Sequence, residues 1–372
     1  MLLRYAAPLT ALLMTLISLP LSAETDEEES GSAELPEELM VQCLKIAAPG
    51  AGGELTIKQL RELCNTLARE DANQQDAVRR ALEALSDEAE GKDNDSDPTG
   101  NSRILERRLG MEALNRANRF LLTPHRRNYL LPVSYQEGRN IEPYTQADSQ
   151  LTDQKKIEVE FQLSVKILIR EGIFGDNGHL YMAYTNHSLW QAYNEDISRP
   201  FRETNHQPEL ILSFVNDWEI FGFRNVLNEV MLTHQSNGQS GALSRSWDRV
   251  MVNTVFERGP FAFSFTPWYR LPESEGDGPD DPTGDDNPDI EKYMGHFELS
   301  GAYQRKENIL SLMVRNNLRS DNRGAVELGW SFPVSSTTRG YLKIFNGYGH
   351  SLIDYDHHTT AVGLGVIFTD LF

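Results

Sequence analysis

The chain has 372 residues, 39% of them hydrophobic, with 55 acidic against 35 basic side chains and a formal charge of −20. That balance excludes nucleic acid as a partner, because a phosphate-binding protein needs a basic surface. Its two cysteines, Cys43 and Cys64, are too far apart for a zinc or redox motif and fit one disulfide in an oxidising compartment.

The first element is MLLRYAAPLTALLMTLISLPLSA. An early arginine, an apolar run and the small residues Ser22 and Ala23 read as a signal peptide over 1–23. No later apolar run is long enough for a membrane helix. Residues 24–102 read as an acidic helical extension and linker. Their acid concentrates in ETDEEES (24–30) and in 87–97, while ELTIKQLRELCNTLA and QDAVRRALEALSDEA place apolar residues three and four apart. A Cys43–Cys64 disulfide would staple this core-poor segment. RILERRLGMEALNRANR opens a helical lead-in over 103–127, and all of 24–119 reads as a unit separable from the remainder of the chain.

From residue 128 the period changes from 3.6 to 2. In IEVEFQLSVKILIR the apolar residues Ile157, Val159, Phe161, Leu163, Val165, Ile167 and Ile169 alternate with polar ones. Strands this long exceed the roughly 5–6 residues of a soluble strand and suit a tilted membrane span. The alternation recurs in segments starting near 128, 155, 178, 208, 221, 244, 261, 292, 308, 323, 338 and 360. Their number is even, as a closed bacterial barrel requires. Connections alternate long (136–154, 186–207, 272–290, 347–359) and short (257–259, 305–307), the rhythm of extracellular loops and periplasmic turns. The acidic run 273–291 lacks calcium-loop spacing and reads as a solvated loop. The fold expected is all-β. A twelve-stranded antiparallel transmembrane β-barrel over 128–372 follows a small helical, disulfide-stapled periplasmic extension, in the outer membrane of a Gram-negative bacterium.

One hairpin combines hydrolase residue types. In EVMLTHQS, Val230, Leu232, His234 and Ser236 share a face; in SRSWDRVMVNTVF, Ser246, Asp248, Val250 and Val252 do. The apolar members mark both faces as lipid-facing. Symmetric pairing about Gly241 sets His234 opposite Asp248 and Ser236 opposite Ser246, with opposed β-carbons about 4.5–5.5 Å apart. Ser236 would be the nucleophile, His234 its general base and Asp248 the group orienting the ring, with the Gly238 N–H aimed at the oxyanion. The same spacing also fits polar side chains at a membrane interface. A nucleophile facing the hydrocarbon boundary would meet acyl esters of lipids. A passive porin or a lipopolysaccharide deacylase are the alternatives for such a barrel.

The segments SNGQSGALSRSWDR, YTNHSLWQAYN, PFRETNHQPEL, DDNPDIEKYMG and GYGHSLIDYD resemble those of the outer-membrane phospholipase A family, whose signature reads HDSNG…SRSWNR. The likeness runs from about Asn128 to Phe372, with no counterpart seen for 24–119. It implies calcium-dependent phospholipase A1/A2 and lysophospholipase activity at the outer leaflet, by a calcium-promoted homodimer acting on membrane phospholipids. It also implies a chain that passes through the barrel-assembly machinery. Ser236, His234 and Gly238 match the family's nucleophile, base and oxyanion glycine. Asp248 stands where the family has asparagine. The implied Ca²⁺ ligands are the Ser244 hydroxyl, the Gln239 backbone carbonyl, where the family has arginine, and Ser198 of the partner subunit. Asn186 matches an interface glutamine and is one methylene shorter.

Overall fold

The computed structural model describes Leu105, Glu112 and residues 122–274, 284–335 and 337–369. The signal peptide, the acidic extension with Cys43 and Cys64, most of the helical lead-in and Phe372 lie outside the described residues.

Twelve long antiparallel strands form a closed barrel: β2 (Asn128–Glu137), β3 (Ile157–Arg170), β4 (His179–Trp190), β5 (Phe201–Ile220), β6 (Phe223–Ser236), β7 (Ser246–Arg258), β8 (Phe261–Arg270), β9 (Phe297–Arg305), β10 (Asn308–Asn316), β11 (Gly324–Pro333), β12 (Arg339–Tyr348) and β13 (His358–Thr369). Each pairs with its sequence neighbours, and β13 pairs with β2 to close the ring. Closure leaves no free sheet edge, which is how a strand-built protein satisfies its backbone in lipid. Among the described residues no helix is long and apolar enough to cross a membrane.

A two-residue strand, β1 (Thr123–Pro124), pairs with β3 at Lys166 and Val165 and continues the edge along which β2 runs. The end of the expected helical lead-in is therefore extended. Pro124 favours that, since its ring disfavours helix in the residue before it.

The two ends of the barrel differ in the sense of the loop rhythm, except that 171–178 at the short-turn end is longer than 317–323 at the other. Connections 138–156, 191–200, 237–245, 271–296, 317–323 and 349–357 lie at one end; 171–178, 221–222, 259–260, 306–307 and 334–338 lie at the other. The first connection holds a short helix, α1 (Glu142–Gln146).

Two further expectations need correcting. The connection expected over 186–207 spans only 191–200, and the strand expected near 208 starts at Phe201, so that β5 has 20 residues. The segments TNHSLW and RETNHQ are polar on both faces, which erases the alternation that marks a strand. The strand expected near 292 starts at Phe297 instead, because Ile290–Met294 form a short helix, α2, with Ile290 and Met294 buried.

Polar residues of the alternating pattern face the lumen, and many of them are buried and paired. The Arg202 guanidinium binds Glu158 at 3.0 Å and Asp354 at 2.9 Å, with none of these side chains exposed. It also donates to Gln136 Oε1 at 2.8 Å. Lys343 meets Glu160 at 2.6 Å, and Glu209 takes both His125 and Arg126, at 3.0 and 2.9 Å. Asp354 comes from the 349–357 connection, which folds back into the mouth. There, against the upward pull of burial, the Arg202 guanidinium and the Asn140 N–H hold the Asp354 carboxyl below its usual range, while burial pushes His350 down to about 3. A lumen crossed by paired charges speaks for a packed barrel rather than the conducting pore of a porin.

The segment before β1 also takes part. Leu105 and Glu112 are both helical. Leu105 is buried with Val226, Leu227, Val255 and Ala262, and Glu112 pairs with the buried Lys166 at 2.9 Å. The division expected at residue 119 therefore falls too late. Leu105 and Glu112 belong to the barrel's interior.

Candidate active site

The β6–β7 hairpin carries the site, and its register is the one the symmetry about Gly241 predicts. His234 lies opposite Asp248 and Ser236 opposite Ser246. The face is also as expected: Val230 and Val252 are exposed on the side of the trio, while Met231 and Thr233 between them are buried in the lumen. The three side chains join in one chain of hydrogen bonds. His234 Nδ1 is 2.8 Å from Asp248 Oδ1, and Nε2 is 3.0 Å from Ser236 Oγ. With the proton on Nδ1, the ring donates to the carboxylate and accepts from the serine hydroxyl, the arrangement a general base needs. The His234 and Asp248 side chains are about a third exposed, at 35% and 34%.

What stiffens this outward site is the opposite face of the same hairpin. Trp247 is fully buried and its indole N–H donates to Gln235 Oε1 at 2.9 Å. The Arg249 guanidinium sits 3.7 Å from the centroid of the Trp247 ring and also donates to Gln235 Oε1, at 3.0 Å. Each lumen residue alternates with a catalytic candidate, so locking one face fixes the other.

The loop after Ser236 is held by Asn237, which the SNG motif contains but to which the sequence alone assigned no role. It is buried; its amide donates to Leu243 O at 2.8 Å and Glu203 Oε2 at 3.3 Å. Its Oδ1 accepts from the Gln239 and Arg245 N–H groups at 3.3 and 3.1 Å. Gly238 follows with φ +66, a left-handed conformation that explains the glycine. Among the described residues nothing takes up the Gly238 N–H, which leaves it free for an oxyanion.

Ser244 stands at the far side of the loop, and its hydroxyl donates to Asp286 Oδ2 at 2.6 Å. The neighbouring Asn287 is fully buried and accepts from the Ser246 N–H at 3.0 Å, tying the 271–296 connection to the catalytic hairpin. Asp286 and Asn287 were present in DDNPDIEKYMG only as part of a motif. Nothing in their spacing shows what they touch, because their partners are some 40 residues away in the chain. The Ser244 hydroxyl and the Asp286 carboxylate bring two oxygens together here, the ligand chemistry that a hard cation such as Ca²⁺ takes. Among the described residues no group of three or more His, Cys, Asp or Glu could hold a metal by itself. Ser198 is exposed in the 191–200 loop, with φ +60, and makes no hydrogen bond to Ser244 or Gln239 within the chain. Asn186 lies outward on β4, opposite His206.

Known proteins resemble this chain over the barrel. Residues 105–368 match the phospholipase A1 family. The match begins at Leu105, earlier than the motifs alone suggested. The chain is 40% identical over 255 residues to phospholipase A1 of Klebsiella pneumoniae, covering 68% of this chain and 85% of that protein. It is 38% identical to phospholipase A1 of Escherichia coli K12, covering 68% and 84%. The solved outer membrane phospholipase A of Escherichia coli superposes with a TM-score of 0.62 at 37% identity, over 68% of this chain and all of that one. The Salmonella typhi outer membrane phospholipase dimer with bound calcium gives a TM-score of 0.63 at 37% identity, over 68% and 95%.

Proposed function

The chain belongs to the phospholipase A1 family, and from that membership we propose that Ser236, His234 and Asp248 hydrolyse phospholipid acyl esters on the outer surface of this barrel wall. The protein is a calcium-dependent outer-membrane phospholipase that works as a homodimer. The observation carrying the residue assignment is the unbroken relay from Ser236 through His234 to Asp248 on the lipid-facing side of β6 and β7.

Ser236 Oγ attacks the ester carbonyl carbon as His234 Nε2 takes its proton, and Asp248 holds the ring with Nε2 free and balances the imidazolium charge. The Gly238 N–H receives the carbonyl oxygen as it becomes an anion. His234 then passes the proton to the departing lysophospholipid oxygen, leaving an acyl-serine. Water, deprotonated by the same ring, releases the fatty acid. Ser244, the Gln239 carbonyl and Ser198 of the partner subunit would hold Ca²⁺, with Asp286 placed to add a carboxylate. When bound, the ion supplies positive charge that polarises the carbonyl. A dimer joined across the face bearing Asn186 would supply that partner serine. Residues 24–102 would extend into the periplasm, since both barrel termini lie at the short-turn end. Assembly would run through the barrel-assembly machinery, because closing β13 onto β2 requires a partner for each edge until the ring is complete.

The test is calcium-dependent release of fatty acid from phospholipid by the wild type and by Ser236→Ala. Activity retained in the variant would overturn the assignment. A sulfonyl ester reagent should modify Ser236 alone, as among the described residues no other serine shares its relay.

A further inference from the structure

A second histidine adjoins the nucleophile from the other side. His206 on β5 lies directly opposite Ser236, and Asn186 on β4 lies opposite His206. The side chain points outward, since its neighbours Asn205 and Gln207 are buried in the lumen. Ser236 is thus flanked on the lipid side by His206 on β5 and by the hairpin partner Ser246 on β7.

The orientation of this ring is fixed. Tyr184 Oη lies 2.6 Å from His206 Nδ1, and the two rings stack with centroids 6.2 Å apart. A phenol is the better donor of the two, so its O–H points to Nδ1 and the proton of a neutral imidazole resides on Nε2. The opposite edge of the ring faces the turn after the nucleophile. A β-carbon on Gly238 would come within 3.8 Å of His206 Cδ2 and 3.9 Å of Nε2, and would meet nothing else within 4 Å. Among the described residues no group accepts from Nε2. The Nε2–H therefore borders the same small space as the unpartnered Gly238 N–H.

We propose that His206 is a second oxyanion donor, its Nε2–H joining the Gly238 N–H on the carbonyl oxygen of the substrate. This rests on Ser236 being the nucleophile. As Ser236 Oγ forms its bond to the carbonyl carbon, the C=O π pair moves onto oxygen. His206 and Gly238 each donate a hydrogen bond to that anion, and no proton is transferred. When the tetrahedral centre collapses, the pair returns, the ester C–O bond breaks, and the leaving oxygen takes the proton held by His234. The two histidines have separate tasks, set by separate partners: Asp248 places a proton on Nδ1 of His234, and Tyr184 places one on Nε2 of His206. Tyr184 is a positioning residue here, acting only through the ring.

The test compares His206→Phe, His206→Gln and Tyr184→Phe with the wild type, and Ser236→Ala as control, on a short-chain phospholipid in calcium-containing micelles. Folding is checked by heat-modifiable migration. His206→Phe keeps a ring of similar size without the donor. It should lower kcat by roughly 10²-fold with KM changed little, as loss of one oxyanion donor does elsewhere. His206→Gln, which offers an amide N–H, should recover part of that loss. Tyr184→Phe should lower kcat several-fold, because the ring then samples the other tautomer. A His206→Phe enzyme within twofold of the wild type, or one altered in KM alone, would overturn the proposal while an inert Ser236→Ala leaves the nucleophile assignment standing. An active Ser236→Ala would instead overturn the reading on which the proposal rests. No gain from His206→Gln over His206→Phe would reduce His206 to packing and likewise overturn it.

Discussion

Histidine–carboxylate pairs occur on both faces of this barrel wall, and the two faces use them differently. Inside, His125 pairs with Glu209 and His187 with Glu160, each at 3.0 Å. Both carboxylates are shared with a cation, Glu209 with Arg126 and Glu160 with Lys343, and both are essentially unexposed. Outside, His234 pairs with Asp248 at 2.8 Å, a third exposed, and its other nitrogen meets a hydroxyl. A similar distance thus supports two roles. In the lumen the pair is a neutralised knot in a network whose value is structural. On the outer face it is one link of a relay that ends on a nucleophile, where substrate can reach it. Distance alone does not distinguish them; the third partner and the face do.

The largest effect that sharpens this contrast is on the outer face. Ser236→Ala should lower kcat by at least about 10⁴-fold, as removal of a triad nucleophile does elsewhere, while leaving the unfolding temperature unchanged. Fatty-acid titration and a thermal melt of one preparation measure both. Next comes its converse in the lumen. Arg202→Ala strands Glu158 and Asp354, and breaking a buried pair costs about 3–5 kcal/mol. Denaturant unfolding should show that loss, while the folded fraction keeps its kcat. Catalytic loss in a fully folded Arg202 variant would blur the division between the faces.

A smaller effect concerns the third member of the relay. Replacing a triad aspartate by asparagine costs about 10⁴-fold in soluble proteases. The motif resemblance places asparagine at the position of Asp248, so the strand pairing must accept an amide oxygen against His234. Asp248→Asn is expected to stay within roughly tenfold of wild type, about 1.4 kcal/mol in barrier, and Asp248→Ala to fall well below it. A protease-like collapse in the asparagine variant would break the idea that the hairpin itself orients the ring.

The smallest effect lies in the loop beside the site. Burial, then the nearby Asp285, pushes the Glu273 carboxyl up to about 7. The folded protein therefore holds this proton more tightly than the unfolded chain. Glu273 contributes most below its usual carboxylate range, and that contribution is lost as pH rises toward about 7. Glu273→Gln should then stabilise the protein by about 1 kcal/mol at pH 8, after allowance for screening by solvent and Arg270, with no gain at pH 4. Melting curves at the two pH values measure it; an equal effect at both would mean the carboxyl titrates normally.

Alternation along the chain was enough to determine the barrel, its strand number and the outward face of His234, Ser236 and Asp248, because a strand's side chains must alternate and a lipid-facing stripe must be apolar. The spacing about Gly241 also determined their register, since a hairpin pairs residues symmetrically about its turn. Tertiary structure decided what depends on contacts between distant segments. TNHSLW and RETNHQ became strand only because β3, β4, β5 and β6 pair there, and polarity on both faces had hidden the period. Glu112 joined the lumen because the ammonium of the buried Lys166 needs an opposite charge beside it. Asp286 and Asn287 reached Ser244 and Ser246 only once β8 returned the chain to the hairpin. His206 came to lie beside Ser236 because the two are 30 residues apart in the chain yet directly opposed in the sheet, a relation that only strand pairing creates.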